Sequence, residues 1–307
     1  MSDVRVVGGG VMGLTTALVL AREGHRVRVV SADPASATTS AVAGALWWPY
    51  RIEPLDLVGD WALTTLRWYE ELAARPGETG VRLVGGLHRG ERLAALGSWA
   101  GQVESLVQSA EGLRCRLPLL DMPAHLRWLE DRVTAAGGTL ERGTVASLGA
   151  AADGADVVVN CTGIGAASLV PDAGVRPVRG QLVLVENPGI EEWFTEADPA
   201  SSETTYFFPQ PGRLVLGGTA VAGDWSTVPD PDTARAIVER CARVRPEIAG
   251  ARIIGHRVGL RPAREGGVRI EAEPLPGGGR LVHNYGHGGA GVTVALGCAR
   301  AAAALVD

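Results

Sequence analysis

Residues 4–24 have the sequence VRVVGGGVMGLTTALVLAREG, and this stretch decides the fold. Residues 4–7 are β-branched apart from one arginine, which is typical of a buried strand. From Leu14 onward apolar residues recur at helical spacing, and Gly24 supplies a stop. A second apolar strand follows over residues 27–30. The order strand, glycine turn, helix, strand predicts a Rossmann-type α/β unit.

The turn has the pattern Gly8-x-Gly10-x-x-Gly13. Gly8 allows the tight turn, Gly10 lets a pyrophosphate approach the backbone, and Gly13 lets helix and strand pack closely. The helix N-terminus then offers free N–H groups and partial positive charge to phosphates. We therefore predict a dinucleotide-binding turn, with Val11 and Met12 among the contacts.

An acidic residue is expected about 20 residues further on, where it binds a ribose hydroxyl. Asp33 is the candidate, although it comes slightly late. The alternative is an exposed aspartate in the turn before Pro34. The glycine motif and Asp33 together do not distinguish NAD from FAD.

Later segments add a second kind of architecture. Residues 178–186 and 204–216 alternate in the manner of an antiparallel sheet, and residues 123–136, 231–244 and 291–306 have helical patterns. Residues 155–159 form a continuous apolar run that suits a buried parallel strand. The fold class predicted is α/β, with a Rossmann-type domain interleaved with an α+β domain built on a mostly antiparallel sheet.

Composition narrows the classes of protein. The chain has 307 residues, enough for about two domains. A formal net charge of -5 disfavours nucleic acid as a partner. No apolar run is long enough to cross a bilayer, and no signal-peptide pattern precedes the first strand. We therefore expect a cytoplasmic protein without a membrane partner.

Two residue types limit the chemistry. All 29 basic residues are arginines, which excludes a Schiff-base lysine or a lysine general base. The four cysteines are widely separated, which argues against a zinc site or a disulfide framework. His283 and His287 are four residues apart, but a glycine-rich loop does not hold them on one helical face. We expect no metal.

Four further segments of the sequence carry the clearest functional signal. The strongest is the tail His283-Asn284-Tyr285-Gly286-His287-Gly288-Gly289-Ala290-Gly291-Val292-Thr293, which precedes an apolar helix. The other three are Thr38-Thr39-Ser40 with Ala43-Gly44-Ala45-Leu46-Trp47-Trp48-Pro49-Tyr50, Val158-Val159-Asn160-Cys161-Thr162-Gly163, and Gly259-Leu260-Arg261-Pro262. In sequence and in their order along the chain, these four segments resemble the D-amino acid oxidase family.

This resemblance implies FAD as the cofactor. It also implies an FAD-binding domain over residues 1–50, 121–178 and 262–307, and a substrate-binding domain over residues 51–120 and 179–261. The glycines near residue 290 would let the backbone lie against the flavin, and the following helix N-terminus would stabilise its reduced, negatively charged form. The expected FAD contacts are Gly8, Gly10, Val11, Met12, Gly13, Asp33, Thr38, Thr39, Ser40, Gly44, Ala45, Leu46, Val145, Gly288, Gly289, Gly291, Val292 and Thr293.

The resemblance also implies a substrate site. Arg261 and Tyr206 would bind the carboxylate of a D-amino acid, since the arginine fork matches two carboxylate oxygens. The carbonyl of Gly289 would accept the amino group. Hydride transfer to FAD, reduction of O2 to hydrogen peroxide, and hydrolysis of the imino acid to a 2-oxo acid and ammonia would follow.

Two positions depart from the family's pattern. Ser202 replaces a tyrosine that animal members carry on an active-site lid, so the lid over residues 197–205 is expected to be short. Trp48 stands where glutamine is common, which favours a bulkier, more apolar pocket wall. The wider segment of residues 194–208 contains Glu196, Asp198 and Glu203 and no arginine or histidine. We therefore predict neutral substrates, although Arg51 or another distant arginine remains able to reach the pocket.

Other functions stay open at this point. A D-aspartate oxidase or a glycine/sarcosine-type amine oxidase would share the fold. A dehydrogenase of the same fold would pass electrons to a carrier rather than to oxygen. A non-catalytic FAD-binding protein and an NAD-dependent dehydrogenase are more distant alternatives. Members of the family often form dimers, so a homodimer is expected without a defined interface.

Overall fold

The glycine turn lies between a strand and a helix in the computed structural model, which describes residues 1–197, 201–275 and 278–306. The strands are β1 (Asp3–Val7), β2 (Arg26–Ser31), β3 (Val81–Arg89), β4 (Val107–Gln108), β5 (Leu113–Leu120), β6 (Thr139–Arg142), β7 (Val157–Asn160), β8 (Val175–Val185), β9 (Trp193–Ala197), β10 (Glu203–Gln210), β11 (Arg213–Thr219), β12 (Val221–Ala222), β13 (Ile253–Arg264), β14 (Arg269–Pro274) and β15 (Arg280–Tyr285). The helices are α1 (Val11–Arg22), α2 (Thr39–Val42), α3 (Leu55–Leu72), α4 (Pro76–Thr79), α5 (Met122–Ala135), α6 (Ala166–Leu169), α7 (Pro231–Val244) and α8 (Gly291–Ala303).

The first sheet is the Rossmann-type sheet that the N-terminal pattern predicts. Its strand order is β14-β15-β7-β1-β2-β6. β1 pairs in parallel with β2 and with β7, and Val4 is in register with Val27 and Val157. Only β14 runs antiparallel within this order, against β15. The carboxyl ends of β1 and β2 therefore meet at one edge, which is where such sheets bind ligands.

The second sheet is mostly antiparallel, as the alternating segments predict. Its order is β12-β8-β11-β10-β9-β3-β5-β4, with β13 paired along the other edge of β8. β3 and β9 pair in parallel. β8 and β13 run past the boundaries at residues 178 and 261 that the sequence suggests for the two domains. The proposed division of the chain into domains stays a prediction.

Helices cover both sheets and close the core. α8 packs against α1 and α3, and the largest buried cluster includes side chains from all three helices. A second cluster forms where α7 packs on the second sheet, with Phe194 and Phe207 stacked 5.2 Å apart. Within the described ranges, no helix combines the length and the hydropathy needed to cross a bilayer.

Two segments differ from the sequence-based expectation. Residues 139–148 have a strand-like sequence, but β6 ends at Arg142, and residues 143–145 leave the sheet and line a cavity. The strand expected over residues 204–216 is two strands, β10 and β11, joined at Gly212 with a φ of +71°. A glycine in the left-handed region marks such turns.

Candidate active site

Close backbone approaches shape the turn before α1. Gly8 has a φ of +120°, and a Cβ on it would lie 2.3 Å from the carbonyl oxygen of Cys161. A Cβ on Gly13 would lie 1.8 Å from the carbonyl oxygen of Gly8. The N–H of Val11 donates a hydrogen bond to Ser40 Oγ at 3.0 Å. Only glycine fits at Gly8 and Gly13, because a side chain at either position would overlap the backbone. α1 begins within this turn, at Val11.

The loop before α8 is fixed to β13. Gly288 has a φ of +53°, and its N–H donates to the carbonyl oxygen of Pro262 at 2.9 Å. A Cβ on Gly289 would lie 3.3 Å from Arg261 Cδ and 3.4 Å from Tyr50 Cδ1. The backbone at Gly289 is therefore enclosed between two side chains that the sequence places far apart.

A cavity of about 590 Å³ extends between these two glycine-rich regions. Its volume is within the range of about 300–1,000 Å³ that is usual for ligand sites. Its wall includes the candidate anchors Arg261, Tyr206 and Gly289. The predicted FAD contacts that line it are Gly8, Gly10, Val11, Met12, Asp33, Thr38, Thr39, Ser40, Gly44, Ala45, Leu46, Val145, Gly288, Gly289, Gly291 and Val292.

The lining fits a dinucleotide with a planar ring. The N-terminus of α1 suits the phosphates, and Asp33 follows the carboxyl end of β2. Two atoms on the wall, His287 Nε2 and Asn284 Oδ1, are buried with no hydrogen-bond partner among the residues that the structure describes. Because buried polar atoms are normally paired, we expect a bound ligand to supply these hydrogen bonds.

Two predicted FAD contacts lie outside the cavity wall. Gly13 packs against the Gly8 carbonyl, which matches the packing role that its motif position predicts. Thr293 is buried, and its hydroxyl donates to the carbonyl oxygen of Trp48 at 2.9 Å and accepts from the Trp48 N–H at 3.3 Å. Its side chain therefore holds the chain segment that carries Trp48.

Arg261 is held by two features of the second sheet. Its Nη1 donates to the carbonyl oxygen of Thr219 at 2.8 Å. The guanidinium lies over Gly180, where a Cβ would be 2.5–2.6 Å from Nη1, Cζ and Nη2. One donor is thus engaged with the backbone, and the fork lies on the cavity wall. An arginine in this position offers a carboxylate two parallel hydrogen bonds.

Tyr206 lies close enough to Arg261 for the guanidinium charge to act on its hydroxyl. Its ring stacks on Phe208 at 4.8 Å and covers Gly217, where a Cβ would lie 1.9 Å from Tyr206 Cζ. Burial raises the pKa of the Tyr206 hydroxyl, and the charge of Arg261 offsets this only in part. The hydroxyl therefore stays protonated near neutral pH and serves as a donor.

A further set of polar residues was not predicted from the sequence. Strand pairing places His88, Thr195 and Tyr206 in one row across β3, β9 and β10. His88 Nδ1 lies 2.7 Å from Thr195 Oγ1, and His88 Nε2 lies 3.0 Å from Glu91 Oε2. The His88 ring packs against Trp48 at 4.6 Å. This cluster forms another part of the cavity wall, and no local pattern identifies it because the contacts depend on strand register.

The short lid segment is only partly described. The side chain of Ser202 is exposed, and its carbonyl accepts a hydrogen bond from the Ala220 N–H at 2.7 Å. Glu196 lines the cavity, whereas Glu203 pairs with Arg240 at 3.1 Å. Asp198 lies outside the described residues.

His283 and His287, the two histidines four residues apart, lie in different surroundings. His283 lies 3.2 Å from Glu273 and from the amide nitrogen of Asn160, behind the cavity. His287 lies on the cavity wall, where burial lowers its pKa to about 3. In the parts of the chain that the structure describes, no group of three or more His, Cys, Asp or Glu side chains is arranged to hold a metal ion.

Comparison with known proteins agrees with this geometry. A family model described as FAD dependent oxidoreductase matches residues 3–305. A D-amino-acid oxidase of Streptomyces coelicolor is 61% identical over 99% of this chain and 97% of its own length. Human D-aspartate oxidase is 34% identical over 99% of this chain and 94% of its own length. Among solved structures, glycine oxidase from Geobacillus kaustophilus superposes with a TM-score of 0.77 at 22% identity, covering 99% of this chain and 94% of that one.

Proposed function

The chain belongs to the FAD-dependent oxidoreductase family, and we propose that within this family it is a D-amino acid oxidase acting on neutral D-amino acids. The observation that carries the proposal is the convergence of Arg261, Tyr206 and Gly289 on the cavity that also contains the predicted FAD contacts. The 61% identity to a D-amino-acid oxidase over nearly the whole chain supports the same activity.

In this mechanism the protein contributes mainly by binding and orienting the substrate. Arg261 and Tyr206 bind the substrate carboxylate, and the Gly289 carbonyl accepts a hydrogen bond from the amino group. FAD supplies the redox chemistry, which is acceptance of a hydride from the α-carbon and return of two electrons to O2 as hydrogen peroxide. The imino acid product hydrolyses in water to a 2-oxo acid and ammonia. Orientation of the α-hydrogen by three fixed contacts is the main contribution of the protein.

The same contacts account for the choice of enantiomer. With the carboxylate and the amino group both fixed, only one enantiomer directs its α-hydrogen toward the flavin. The L-enantiomer would place its side chain there instead. Selection of one enantiomer therefore follows from Arg261, Tyr206 and Gly289 and needs no contact to the side chain, and the D-amino-acid oxidase relatives support the D-form.

The cavity wall favours neutral side chains. Among the described residues that line it, Arg261 is the single arginine, and it is assigned to the α-carboxylate. A D-aspartate oxidase needs a further cation for the second carboxylate. His88 is a polar candidate on the cavity wall, but both of its ring nitrogens are already engaged, with Thr195 and Glu91. D-aspartate oxidase is thus the second candidate, favoured by the 34% identity to the human enzyme. Glycine oxidase resembles this chain in fold.

An anaerobic flavin spectrum tests the proposal. Purified protein is mixed with D-alanine, D-methionine, D-aspartate and the corresponding L-amino acids, and air is then admitted. We expect bleaching of the visible flavin band by the neutral D-forms and peroxide on exposure to air. Bleaching by D-aspartate alone would replace the proposal with the acidic-substrate enzyme. A yellow, folded protein that none of them bleaches would show that Arg261 and Tyr206 have been misassigned.

The assignment of individual FAD contacts, the cytoplasmic location and the homodimer belong to the same proposal. Absorbance of FAD in variants of the lining residues and sedimentation of the holoenzyme test the first and the last.

A further inference from the structure

We propose that Tyr50 is a third anchor of the substrate carboxylate, donating a hydrogen bond from its hydroxyl beside Arg261 and Tyr206. This inference rests on the proposed function, because it assigns one more residue to the same substrate site. The residue follows the buried pair Trp47 and Trp48, and it was not among the site residues predicted from the sequence.

Tyr50 lies next to the proposed substrate contacts Gly289 and Arg261. Its Cδ1 would lie 3.4 Å from a Cβ on Gly289, and Arg261 Cδ would lie 3.3 Å from the same point. Tyr50 and Arg261 therefore flank the backbone whose carbonyl is assigned to the amino group. All three residues line the cavity together with Tyr206. A substrate held at Gly289 is thus within reach of both side chains.

The hydroxyl oxygen of Tyr50 is buried, and within the described ranges of the chain it has no hydrogen-bond partner. Buried polar atoms without a partner are uncommon in native proteins, and a partner is often a ligand or ordered water. Two other tyrosines provide the contrast, since the hydroxyls of Tyr69 and Tyr285 donate hydrogen bonds to the Val292 carbonyl at 3.0 Å and to the Asp172 carboxylate at 2.7 Å.

The charges around Tyr50 favour an anion. The guanidinium carbon of Arg51 lies 5.2 Å from the centroid of the Tyr50 ring. Burial is the main reason that the pKa of Tyr206 is raised, and the nearby Tyr50 adds to that rise. The two tyrosines also line the same cavity. A carboxylate has about four lone-pair sites, so Arg261 and Tyr206 leave room for another donor.

The choice between carboxylate and amine follows from donors and acceptors. A phenol hydroxyl donates one hydrogen bond, and the carboxylate is the acceptor in an amino acid. The protonated amine offers only donors, and the Gly289 carbonyl is the acceptor already assigned to it. Tyr50 is thus assigned to the carboxylate, where a charged acceptor makes the hydrogen bond stronger.

The test compares Tyr50→Phe with the wild type as FAD-loaded holoenzymes. Binding of benzoate, a carboxylate without an amino group, is followed by perturbation of the flavin spectrum, and thermal unfolding is measured without ligand. We expect benzoate to bind about tenfold or more weakly, since a hydrogen bond to a charged group is lost. We expect the melting temperature to rise by about 1–2 °C, because the variant no longer buries an unpaired hydroxyl. KM for D-alanine should rise more than kcat falls.

Tyr69→Phe is the matched control, because it removes the same atom from a buried tyrosine that has a partner. It should lower the melting temperature and leave benzoate affinity within about twofold of the wild type. Unchanged benzoate affinity in Tyr50→Phe would overturn the inference. A lower melting temperature with a shifted flavin spectrum would also overturn it, by assigning the hydroxyl to the cofactor. A wild type that forms no peroxide from any D-amino acid would instead refute the proposed function, and this inference with it.

Discussion

Replacing Gly180 by alanine is expected to disable the substrate site while leaving the fold intact. The new Cβ would lie 2.5–2.6 Å from three atoms of the Arg261 guanidinium, so the guanidinium must move by about 1 Å to reach ordinary contact distance. Its hydrogen bond to the Thr219 carbonyl would be lost in the process. Because the displaced atoms are the end of a flexible side chain and Gly180 does not need a left-handed φ, the backbone can remain in place.

A misplacement of about 1 Å at a catalytic contact costs about 100-fold in rate. We therefore expect kcat/KM of Gly180→Ala for a neutral D-amino acid to fall about 100-fold, with a melting temperature within about 2 °C of the wild type. The assay is steady-state peroxide release, with thermal unfolding measured on the same preparations. Gly85→Ala is the matched control on β3, where the nearest atom to the new Cβ is Glu192 Oε1 at 3.9 Å. Activity of Gly180→Ala within about threefold of this control would refute the placement of Arg261 as the carboxylate anchor.

Three further predictions follow from other contacts. Tyr206→Phe should lower kcat/KM about tenfold, measured by steady-state peroxide release. In the wild type, carboxylate binding should show no loss from Tyr206 ionisation up to about pH 10, because burial raises the pKa of the hydroxyl. A pH profile of benzoate affinity checks this second expectation. Burial alone would raise the pKa of Asp172, but hydrogen bonds including one from Arg264 lower it to about 2. The ionised carboxylate therefore stabilises the folded protein above the unfolded pKa, and this stabilisation is lost as pH falls from about 5 to 2. Urea unfolding of Asp172→Asn should show about 1–2 kcal/mol less stability at pH 7 and a weaker dependence on acid pH. Thr293→Val should lower the unfolding free energy by about 1–3 kcal/mol, since it leaves the Trp48 backbone unpaired. FAD affinity measured by fluorescence distinguishes this structural role from the predicted FAD contact: it stays unchanged if Thr293 only holds the Trp48 segment, and a loss of FAD affinity without loss of stability would support the contact.

The N-terminal part of the site was predictable because its signals are local. The Gly8 turn follows from adjacent residues whose spacing reports strand, turn and helix, and the structure places the turn at the cavity as expected. The same holds for Gly288 and Gly289, which precede an apolar helix. Arg261 and Tyr206 were identified through the family resemblance, and both side chains line the cavity although β8 and β11 separate the strands that carry them.

The residues that support these anchors were not predictable, because their roles depend on strand pairing. Gly180 and Gly217 are needed only because the side chains of Arg261 and Tyr206 lie across them from neighbouring strands. A glycine inside a strand is a known sign of close approach, so Gly180 carried a weak signal that did not reveal its partner. His88 likewise meets Thr195 only through the parallel pairing of β3 with β9.

The attachment of the Gly289 loop to β13 has a consequence for how this enzyme diversifies. Backbone contacts join the Gly289 loop to the strand that carries Arg261. The Gly288 N–H donates to the Pro262 carbonyl, and Ala263 forms an antiparallel β-bridge with His287, so Arg261 and the loop form one hydrogen-bonded block. This block contacts the atoms that every amino acid shares. The His88 cluster, which forms another part of the cavity wall, is carried by β3 and β9 instead. Substitutions there can alter the accepted side chains while the stereochemical frame is inherited unchanged.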